Sequence, residues 1–288
     1  MLLANLLHSA AGSLAEAGVD TPRIDAELLL GNCLGKSRTE LFLSSAEDLQ
    51  ELVVSRFHKL LQRRLQREPL AYILGVQEFW SLDFCVTPDV LIPRPETELL
   101  LEKTLSCCKD TLPQQGIVLD LCCGSGIIAV VLALELGRPV LAVDVSLDAI
   151  CVARKNARRH NVSHLISFLQ SDLLSGVAPL PVFSLIVSNP PYVSREEMSK
   201  GLQPEVDLFE PHLALDGGDG GVQIIEKIRE QAFLCMLSGA ELFMEVGSGQ
   251  KKSLLDIFSP ENDVEQSFND VWVAQDYAGH DRILHVKK

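Results

Sequence analysis

Residues 117–126 read Ile-Val-Leu-Asp-Leu-Cys-Cys-Gly-Ser-Gly, and this stretch decides the class of fold. Five residues with the character of a buried strand run directly into a glycine-rich turn. The apolar residues 127–136 that follow have the composition of a helix. Further along the chain, short apolar segments continue to alternate with helical ones. This alternation predicts an α/β domain in which helices cover both faces of a mostly parallel sheet.

Residues 1–75 have a different pattern, which is that of a small helical bundle. Thr21 is a typical N-cap residue, and Pro22 follows it at the first helical position, where proline is preferred. A further helix is predicted to begin at Ser45, because carboxylates follow it in what would be the first turn. One helical face near the N-terminus is apolar and carries Leu3, Leu6, Leu7 and Leu14.

Residues 76–93 alternate in a way that predicts a β-hairpin, which would connect the bundle to the α/β domain at residues 94–288. The last helix of the bundle is basic and carries Arg56, Lys59, Arg63, Arg64 and Arg67. Such a stretch could contact an acidic or RNA-bearing partner, but a solvated helix face is the more frequent reason for it. We therefore expect these five side chains to face solvent.

The composition argues against several classes of protein. The 288 residues carry a formal net charge of -14, so no global basic field would attract phosphate backbones, and no direct nucleic-acid partner is expected. The chain has no run of about 18 apolar residues, so no membrane-spanning helix is expected. The eight cysteines include no Cys-x-x-Cys pair. Their spacing disfavours a metal site or a disulfide framework and suits the cytoplasm.

An acidic residue follows the glycine-rich turn at a distance that suits ribose binding. Asp144 ends the next apolar segment, 18 residues beyond Gly126, and its carboxylate could accept hydrogen bonds from both ribose hydroxyl groups. A nicotinamide dinucleotide, or a tight turn with an incidental aspartate, would also fit these two features. However, Ala129 occupies the third glycine position of the dinucleotide pattern, and the loop has no basic residue to favour a phosphate. A cofactor with a ribose but no phosphate therefore fits better.

Residues 189–192, which we call the clamp segment, read Asn-Pro-Pro-Tyr and follow a buried-strand pattern at residues 183–188. This strand is the fourth strand-like segment counted from residue 117, so its carboxyl end should face the same crevice as Asp144. The two prolines remove two backbone donors and fix two φ angles. Carbonyl oxygens are thereby left free to accept hydrogen bonds.

The clamp segment carries the groups that would hold a planar nitrogen for methyl transfer from a sulfonium. An amide nitrogen is a poor nucleophile because its lone pair is delocalised into the carbonyl. If the Asn189 side-chain oxygen and the Pro190 carbonyl accept its two N–H bonds, the nitrogen is aimed at the methyl group and its developing charge is stabilised. Tyr192 could stack on the flat substrate group. Asp172 could contact an adenine amino group, although an ordinary Asx turn would also explain it.

Short motifs are spread along nearly the whole chain, at residues 69–75, 78–80, 91–98, 120–126, 189–192, 210–211, 217–220 and 278–282. This series resembles the bacterial and organellar peptide-chain release factor glutamine methyltransferases. The resemblance implies a Rossmann-like class I methyltransferase domain with a mostly parallel seven-stranded sheet and S-adenosyl-L-methionine as cofactor. It also implies methylation of the side-chain amide nitrogen (N5) of the glutamine in the Gly-Gly-Gln motif of release factors. The helical domain would help to dock this protein substrate, and we expect a monomer without a bound metal.

The resemblance assigns roles to residues at matching positions. The catalytic residues are Asn189, Pro190 and Tyr192, and Pro191 joins them in binding the substrate. The cofactor-binding residues are Asp120, Cys122, Cys123, Gly124, Ser125, Gly126, Asp144, Asp172, Leu173 and Asn189. Cys122 and Cys123 depart from the Gly-Thr that is common in the family; they fit a turn of small residues but weaken the argument for a glycine-only conformation at residue 122. Ser184 stands where many relatives have aspartate, and it receives no role.

Three other functions remain open from the sequence. A glutamine methyltransferase that acts on a ribosomal protein would have the same chemistry. An adenine amino methyltransferase that acts on DNA or RNA could use the same clamp on an extruded base, but the acidic composition disfavours it. A noncatalytic module that retains only the fold is disfavoured because the residues expected at the site are all present.

Overall fold

The computed structural model describes residues 2–109, 111–113, 115–259 and 268–288. The chain divides into two compact units. The first unit contains Met1–Val76 and the segment Gln203–Phe209, and the second contains Gln77–Leu202 and Glu210–Lys288. No helix in the described part of the chain is both long enough and apolar enough to cross a membrane.

The first unit is helical, as the sequence predicts. Its helices are α1 (Leu3–Glu16), α2 (Pro22–Leu34), α3 (Arg38–Leu43), α4 (Glu51–Leu65), α5 (Leu70–Leu74) and, from the later segment, α10 (Pro204–Phe209). The core contains the fully buried side chains of Leu14, Leu29 and Phe57. Burial of each such side chain contributes about 1.5–3 kcal/mol before entropy costs are counted. These apolar faces hold the bundle together.

The predicted start of a helix at Ser45 is wrong, because α4 begins at Glu51. The preceding residues pair with the N-terminus of α1 instead. The backbone N–H of Leu3 donates to the Glu47 carbonyl at 3.0 Å, and the N–H of Ala4 donates to the Ser45 carbonyl at 3.2 Å. Amides in the first turn of a helix have no partner within it, so this strand-like segment satisfies two of them.

The expectation that the basic stretch faces solvent is wrong for Arg64 and Arg67. The Arg64 side chain is only 8% exposed, and its Nε donates to Asp25 at 2.7 Å. Arg64 and Arg67 both donate to the carboxylate of Glu205, at 2.9 Å and 2.6–2.7 Å respectively. Burial raises the pKa of Glu205, but the hydrogen bonds from Arg67 and Arg64 outweigh burial and hold that pKa below its ordinary value. The network therefore favours the ionised form of Glu205.

We expect Arg64→Ala to lower the free energy of unfolding by about 3–5 kcal/mol, because it leaves the carboxylates of Asp25 and Glu205 without their common partner. Urea denaturation at pH 7 measures this loss. The exposed Lys59 lies on the same helix, and Lys59→Ala should change the free energy of unfolding by less than about 0.5 kcal/mol. Folding lowers the pKa of Glu205, so its ionised form stabilises the protein at pH values above the pKa that Glu205 has in the unfolded chain. This stabilisation is lost as the pH falls through the lower pKa of Glu205 in the folded protein. Equal losses of unfolding free energy in Arg64→Ala and Lys59→Ala would contradict the stabilising role of the Arg64 ion pairs.

The second unit is built around a seven-stranded sheet, with helices α6 (Pro95–Cys108), α7 (Ile127–Leu136), α8 (Leu147–Arg159), α9 (Arg195–Lys200), α11 (Gln223–Cys235) and α12 (Lys251–Ile257). The sheet strands are β3 (Ile117–Leu121), β4 (Val140–Asp144), β5 (Ile166–Gln170), β6 (Phe183–Ser188), β7 (Met236–Glu245), β8 (Asn269–Gln275) and β9 (Asp281–Lys287). A separate hairpin consists of β1 (Val76–Phe79) and β2 (Leu82–Cys85), and it lies where the sequence predicts a hairpin.

The strand order is β5-β4-β3-β6-β7-β9-β8. Strands β3 to β7 are parallel, whereas β9 runs antiparallel to β7 and to β8. From β3 the chain first builds outward through β4 and β5, and then returns to the other side of β3 to form β6. The order therefore reverses between β3 and β6, and open α/β sheets bind ligands at the carboxyl ends of the strands at such a point. The predicted α/β fold, with a mostly parallel seven-stranded sheet and a helical N-terminal region, is confirmed.

Candidate active site

The carboxyl ends of β3, β4 and β6 are joined by short hydrogen bonds. The backbone N–H of Gly124 donates to an Asp144 carboxylate oxygen at 2.8 Å. The Ser188 hydroxyl donates to the Leu121 carbonyl at 2.7 Å. These contacts bring the glycine-rich loop, Asp144 and the start of the clamp segment to one edge of the sheet, as the sequence predicts.

The glycine-rich loop has several left-handed backbone conformations. Gly124 and Gly126 have φ values of 50° and 78°, and Cys122 has a φ of 62°. Cys122 thus adopts a left-handed conformation, which residues other than glycine adopt only infrequently. The chain turns sharply after β3, and a left-handed conformation at a non-glycine residue such as Cys122 costs of order 1–3 kcal/mol. A Cβ at Gly126 would lie 2.8 Å from the Cβ of Ala153, so close packing on α8 also requires glycine there.

Asn156 on α8 supports the loop, although the sequence offers no signal for it. Its fully buried side-chain amide donates to the Ser125 carbonyl at 2.8 Å and to the Cys85 carbonyl at 3.0 Å. Its oxygen accepts from the Cys85 N–H at 2.7 Å. One side chain thereby fixes the glycine-rich loop against the hairpin strand β2.

A cavity of about 360 Å³ opens at this edge of the sheet. This volume lies in the range of small-molecule sites. The predicted site residues that line it are Cys122, Cys123, Gly124, Ser125, Asp144, Asp172, Leu173, Asn189 and Pro191. The predicted residues that do not line it are Asp120, Gly126, Pro190 and Tyr192. The cavity therefore brings most of the predicted cofactor residues together with Asn189 and Pro191 of the clamp segment.

The charges around the cavity disfavour a phosphate. Among the described residues that line it, Arg94 is the only basic one, and its guanidinium is paired with the buried carboxylate of Glu210. The acidic lining residues are Asp89, Asp144, Asp172 and Asp216. An acidic cavity suits a ligand with hydroxyl groups and positive charge better than one with a pyrophosphate.

Two carboxyl groups beneath the loop differ in their surroundings. Asp120 is fully buried, and one of its oxygens accepts from the Ala129 N–H at 2.8 Å. Burial raises the pKa of Asp120 to about 8, although that hydrogen bond opposes the change. Burial also raises the pKa of Asp144, against hydrogen bonds from the N–H groups of Ser146 and Gly124. Asp120 thus supports the loop from within, whereas Asp144 faces the cavity.

The clamp segment is held by a chain of side-chain hydrogen bonds. The Asn189 amide group donates to the Thr97 hydroxyl at 3.1 Å, and the Thr97 hydroxyl donates to Glu245 at 2.6 Å. The Tyr192 hydroxyl donates to the other Glu245 oxygen at 3.0 Å. Burial raises the pKa of Glu245, and the hydrogen bonds from Thr97 and Tyr192 oppose this change. The sequence alone predicts no role for Glu245, and it includes Thr97 only as one residue of the motif at residues 91–98.

The backbone of the clamp segment is also supported from behind. Gln250 donates from Nε2 to the Tyr192 carbonyl at 2.9 Å. A Cβ at Gly217 would lie 2.8 Å from the Cα of Tyr192 and 2.9 Å from the Pro191 carbonyl oxygen. No described residue donates a hydrogen bond to the Pro190 carbonyl. The backbone of the segment is therefore held from behind by Gln250 and by close packing on Gly217, and Pro190 itself is buried outside the cavity lining.

The two cysteines of the loop are poor nucleophiles. Burial raises the pKa of both the Cys122 and the Cys123 thiol well above the ordinary value, and the carboxyl groups of Asp144 and Asp120 add to this effect. Because the thiolate is the reactive form, these thiols are less reactive than an exposed cysteine. At neutral pH the raised pKa values favour the thiol form of both residues.

Two family models match the chain. The PrmC N-terminal domain matches residues 5–75, and the methyltransferase small domain matches residues 96–207. A release factor glutamine methyltransferase from Geobacter sulfurreducens is 40% identical over 274 residues, which cover 95% of this chain and 92% of that relative. The chain belongs to the release factor glutamine methyltransferase family. A family member from Clostridium botulinum is 34% identical over 290 residues, with 100% of both chains covered.

A solved structure agrees on the fold. The crystal structure of a methyltransferase from Pyrococcus furiosus has a TM-score of 0.54 and 19% identity to this chain, and the match covers 79% of this chain and 98% of that one. At this identity the likeness shows the fold alone. Family membership confirms the resemblance that the sequence motifs indicate.

Proposed function

We propose that this chain transfers a methyl group from S-adenosyl-L-methionine to the side-chain amide nitrogen (N5) of the glutamine in the Gly-Gly-Gln motif of peptide chain release factors. The observation that carries the proposal is the position of Asn189, at the wall of the cavity and at the end of β6. The family to which the chain belongs supports this choice of substrate. The proposal includes a monomeric, cytoplasmic enzyme with release factors as its protein partners and no direct nucleic-acid partner.

The residues around the cavity fit S-adenosyl-L-methionine. Asp144 would accept hydrogen bonds from the ribose hydroxyl groups, and Asp172 with Leu173 would lie beside the adenine. Gly124 offers room for close approach, because a Cβ at this position would meet no atom within 4 Å. The acidic lining also suits the positive sulfonium. When bound, the cofactor supplies an electrophilic methyl group.

The clamp segment would position the glutamine. The Asn189 side-chain oxygen and the Pro190 carbonyl accept the two N–H bonds of the substrate amide, which aims the nitrogen lone pair at the methyl group. The same acceptors stabilise the positive charge that develops on the nitrogen during transfer. Tyr192 and Pro191 provide flat surfaces for the planar amide. As the new N–C bond forms, the methyl–sulfur bond would break and leave a neutral thioether, and the nitrogen would then give one proton to water and become a neutral secondary amide.

Labelled S-adenosyl-L-methionine tests the proposal when the protein is incubated with purified release factors, ribosomal proteins and DNA, and the label is mapped by mass spectrometry. We expect label on the glutamine of Gly-Gly-Gln. A release factor that carries Gly-Gly-Glu is the matched control, because it lacks the amide nitrogen and should take no label. Label on a ribosomal-protein glutamine, or on adenine in DNA, would instead support the two alternative methyltransferases.

A further inference from the structure

Glu245 is a fully buried acidic side chain at the end of β7 that does not line the cavity. Its two oxygens have separate partners, since Thr97 donates to one at 2.6 Å and Tyr192 donates to the other at 3.0 Å. A buried charge is costly unless hydrogen bonds compensate for it. Both hydroxyl groups donate to Glu245, and in its ionised form Glu245 can only accept, so that form fixes the direction of both hydrogen bonds.

The direction of the first hydrogen bond fixes the orientation of Asn189. A hydroxyl group has one hydrogen, and that of Thr97 is used on Glu245. The Thr97 oxygen can then only accept, so the group that Asn189 turns toward it is the NH2 group, at 3.1 Å. The two ends of a carboxamide have nearly the same shape, and without such a partner either end could point into the cavity. The chain of hydrogen bonds removes this ambiguity.

We propose that Glu245 and Thr97 are positioning residues that set the amide polarity of Asn189 and so present its oxygen, rather than its NH2 group, to the substrate. This inference rests on the proposed function. A glutamine amide approaches with two N–H donors, and a reversed Asn189 would offer it a third donor instead of an acceptor. Glu245 does not line the cavity, and Thr97, which does line it, acts in this proposal through its hydrogen bond with Asn189.

Thr97→Val tests the inference, because valine has almost the same shape as threonine but has no hydroxyl. The productive orientation then leaves the Asn189 NH2 group unpaired, so kcat/KM for a release factor substrate should fall by about 10- to 100-fold. The dissociation constant for S-adenosyl-L-methionine should stay within about twofold, since Asp144 and the loop are unchanged. Thr97→Ser retains the hydroxyl and should restore most of the lost kcat/KM.

Thr104→Val is the matched structural control. Thr104 is equally buried on the same helix, and its hydroxyl donates to the Leu100 carbonyl at 2.8 Å without contacting Asn189. We expect a similar loss of thermal stability from Thr104→Val and Thr97→Val, but near-wild-type kcat/KM from Thr104→Val alone. Equal kcat/KM values in these two variants would overturn the inference, and so would a Thr97→Ser variant as slow as Thr97→Val.

Glu245→Gln provides an independent test, which remains available if the Thr97→Val variant does not fold. A glutamine at this position can donate to Thr97 and so permits the reversed Asn189 amide, which should lower kcat/KM. The double variant with Thr97→Val should be no slower than Thr97→Val alone, because both changes act through one hydrogen bond. A Glu245→Gln variant within twofold of wild type overturns the inference. A wild-type protein that labels no release factor contradicts the proposed function, whereas wild-type rates in Thr97→Val contradict only the positioning role.

Discussion

Asn189→Ala is expected to reduce glutamine methylation by at least about a hundredfold while the affinity for S-adenosyl-L-methionine stays within a few-fold of wild type. The variant removes the acceptor that holds the substrate nitrogen and stabilises its developing charge, and loss of one such preorganised group typically costs a factor of 10² to 10³. The cofactor should still bind, because Asp144 and the glycine-rich loop keep their own hydrogen bonds. Single-turnover kinetics with a release factor and calorimetry with the cofactor measure the two quantities separately.

Ser184→Ala is the control for damage to β6. Ser184 is as deeply buried as the other residues of that strand, but its hydroxyl contacts the Ile117 carbonyl at 3.4 Å, at the opposite end from the clamp segment. Its turnover should remain near that of wild type. If Asn189→Ala instead loses cofactor binding and recovers its turnover at high cofactor concentration, Asn189 acts only in cofactor binding and the clamp assignment is wrong.

The sequence predicts those parts of the fold and site that depend on short stretches of chain. A buried strand followed by a glycine-rich turn places the loop at the carboxyl edge of a parallel sheet, regardless of how the rest of the chain folds. The same holds for Asp144 and Asn189, each of which ends or directly follows such a strand. Because parallel strands share one edge, proximity of these residues follows without any knowledge of tertiary packing.

The supporting residues could not be predicted because their partners are distant in sequence. Thr97 on α6 and Glu245 on β7 are 148 residues apart, and nothing in either local pattern identifies the other as its partner. The same is true of Arg64, whose partner Glu205 is 141 residues further along the chain and belongs to the first compact unit. The pattern of the helix alone therefore predicts that the Arg64 side chain faces solvent.

The left-handed backbone of Cys122 could not be predicted from the sequence for a different reason. Side-chain preference argues against a left-handed conformation at a non-glycine residue. The hydrogen bonds from the Cys123 N–H to the Val143 carbonyl and from the Gly124 N–H to Asp144 determine the course of the loop. Tertiary contacts thus outweigh a local preference, and such strain is typical of residues at functional sites.

Asp144→Ala is expected to reverse the pattern of Asn189→Ala, with weakened cofactor binding as the main effect. A hydrogen bond to a charged group contributes about 1.5–3 kcal/mol, so the dissociation constant for S-adenosyl-L-methionine should rise roughly 10- to 150-fold. Turnover at saturating cofactor should recover most of its wild-type value, because Asn189 and its partners lie on other elements. Asp148→Ala, which removes an exposed carboxylate four residues further along the chain, should bind the cofactor as tightly as wild type.

Asp144 also accepts hydrogen bonds from Gly124 and Ser146, so loss of affinity alone does not distinguish a ribose contact from a disturbed loop. A cofactor analogue that lacks the ribose 2′- and 3′-hydroxyl groups separates the two. If Asp144 binds those hydroxyl groups, the wild type should bind the analogue weakly. Asp144→Ala should then lower the affinity for the analogue little further, because the contact with the hydroxyl groups is already lost. If Asp144→Ala lowers the affinity for the analogue and for S-adenosyl-L-methionine by the same factor, the carboxylate shapes the loop and another group binds the ribose.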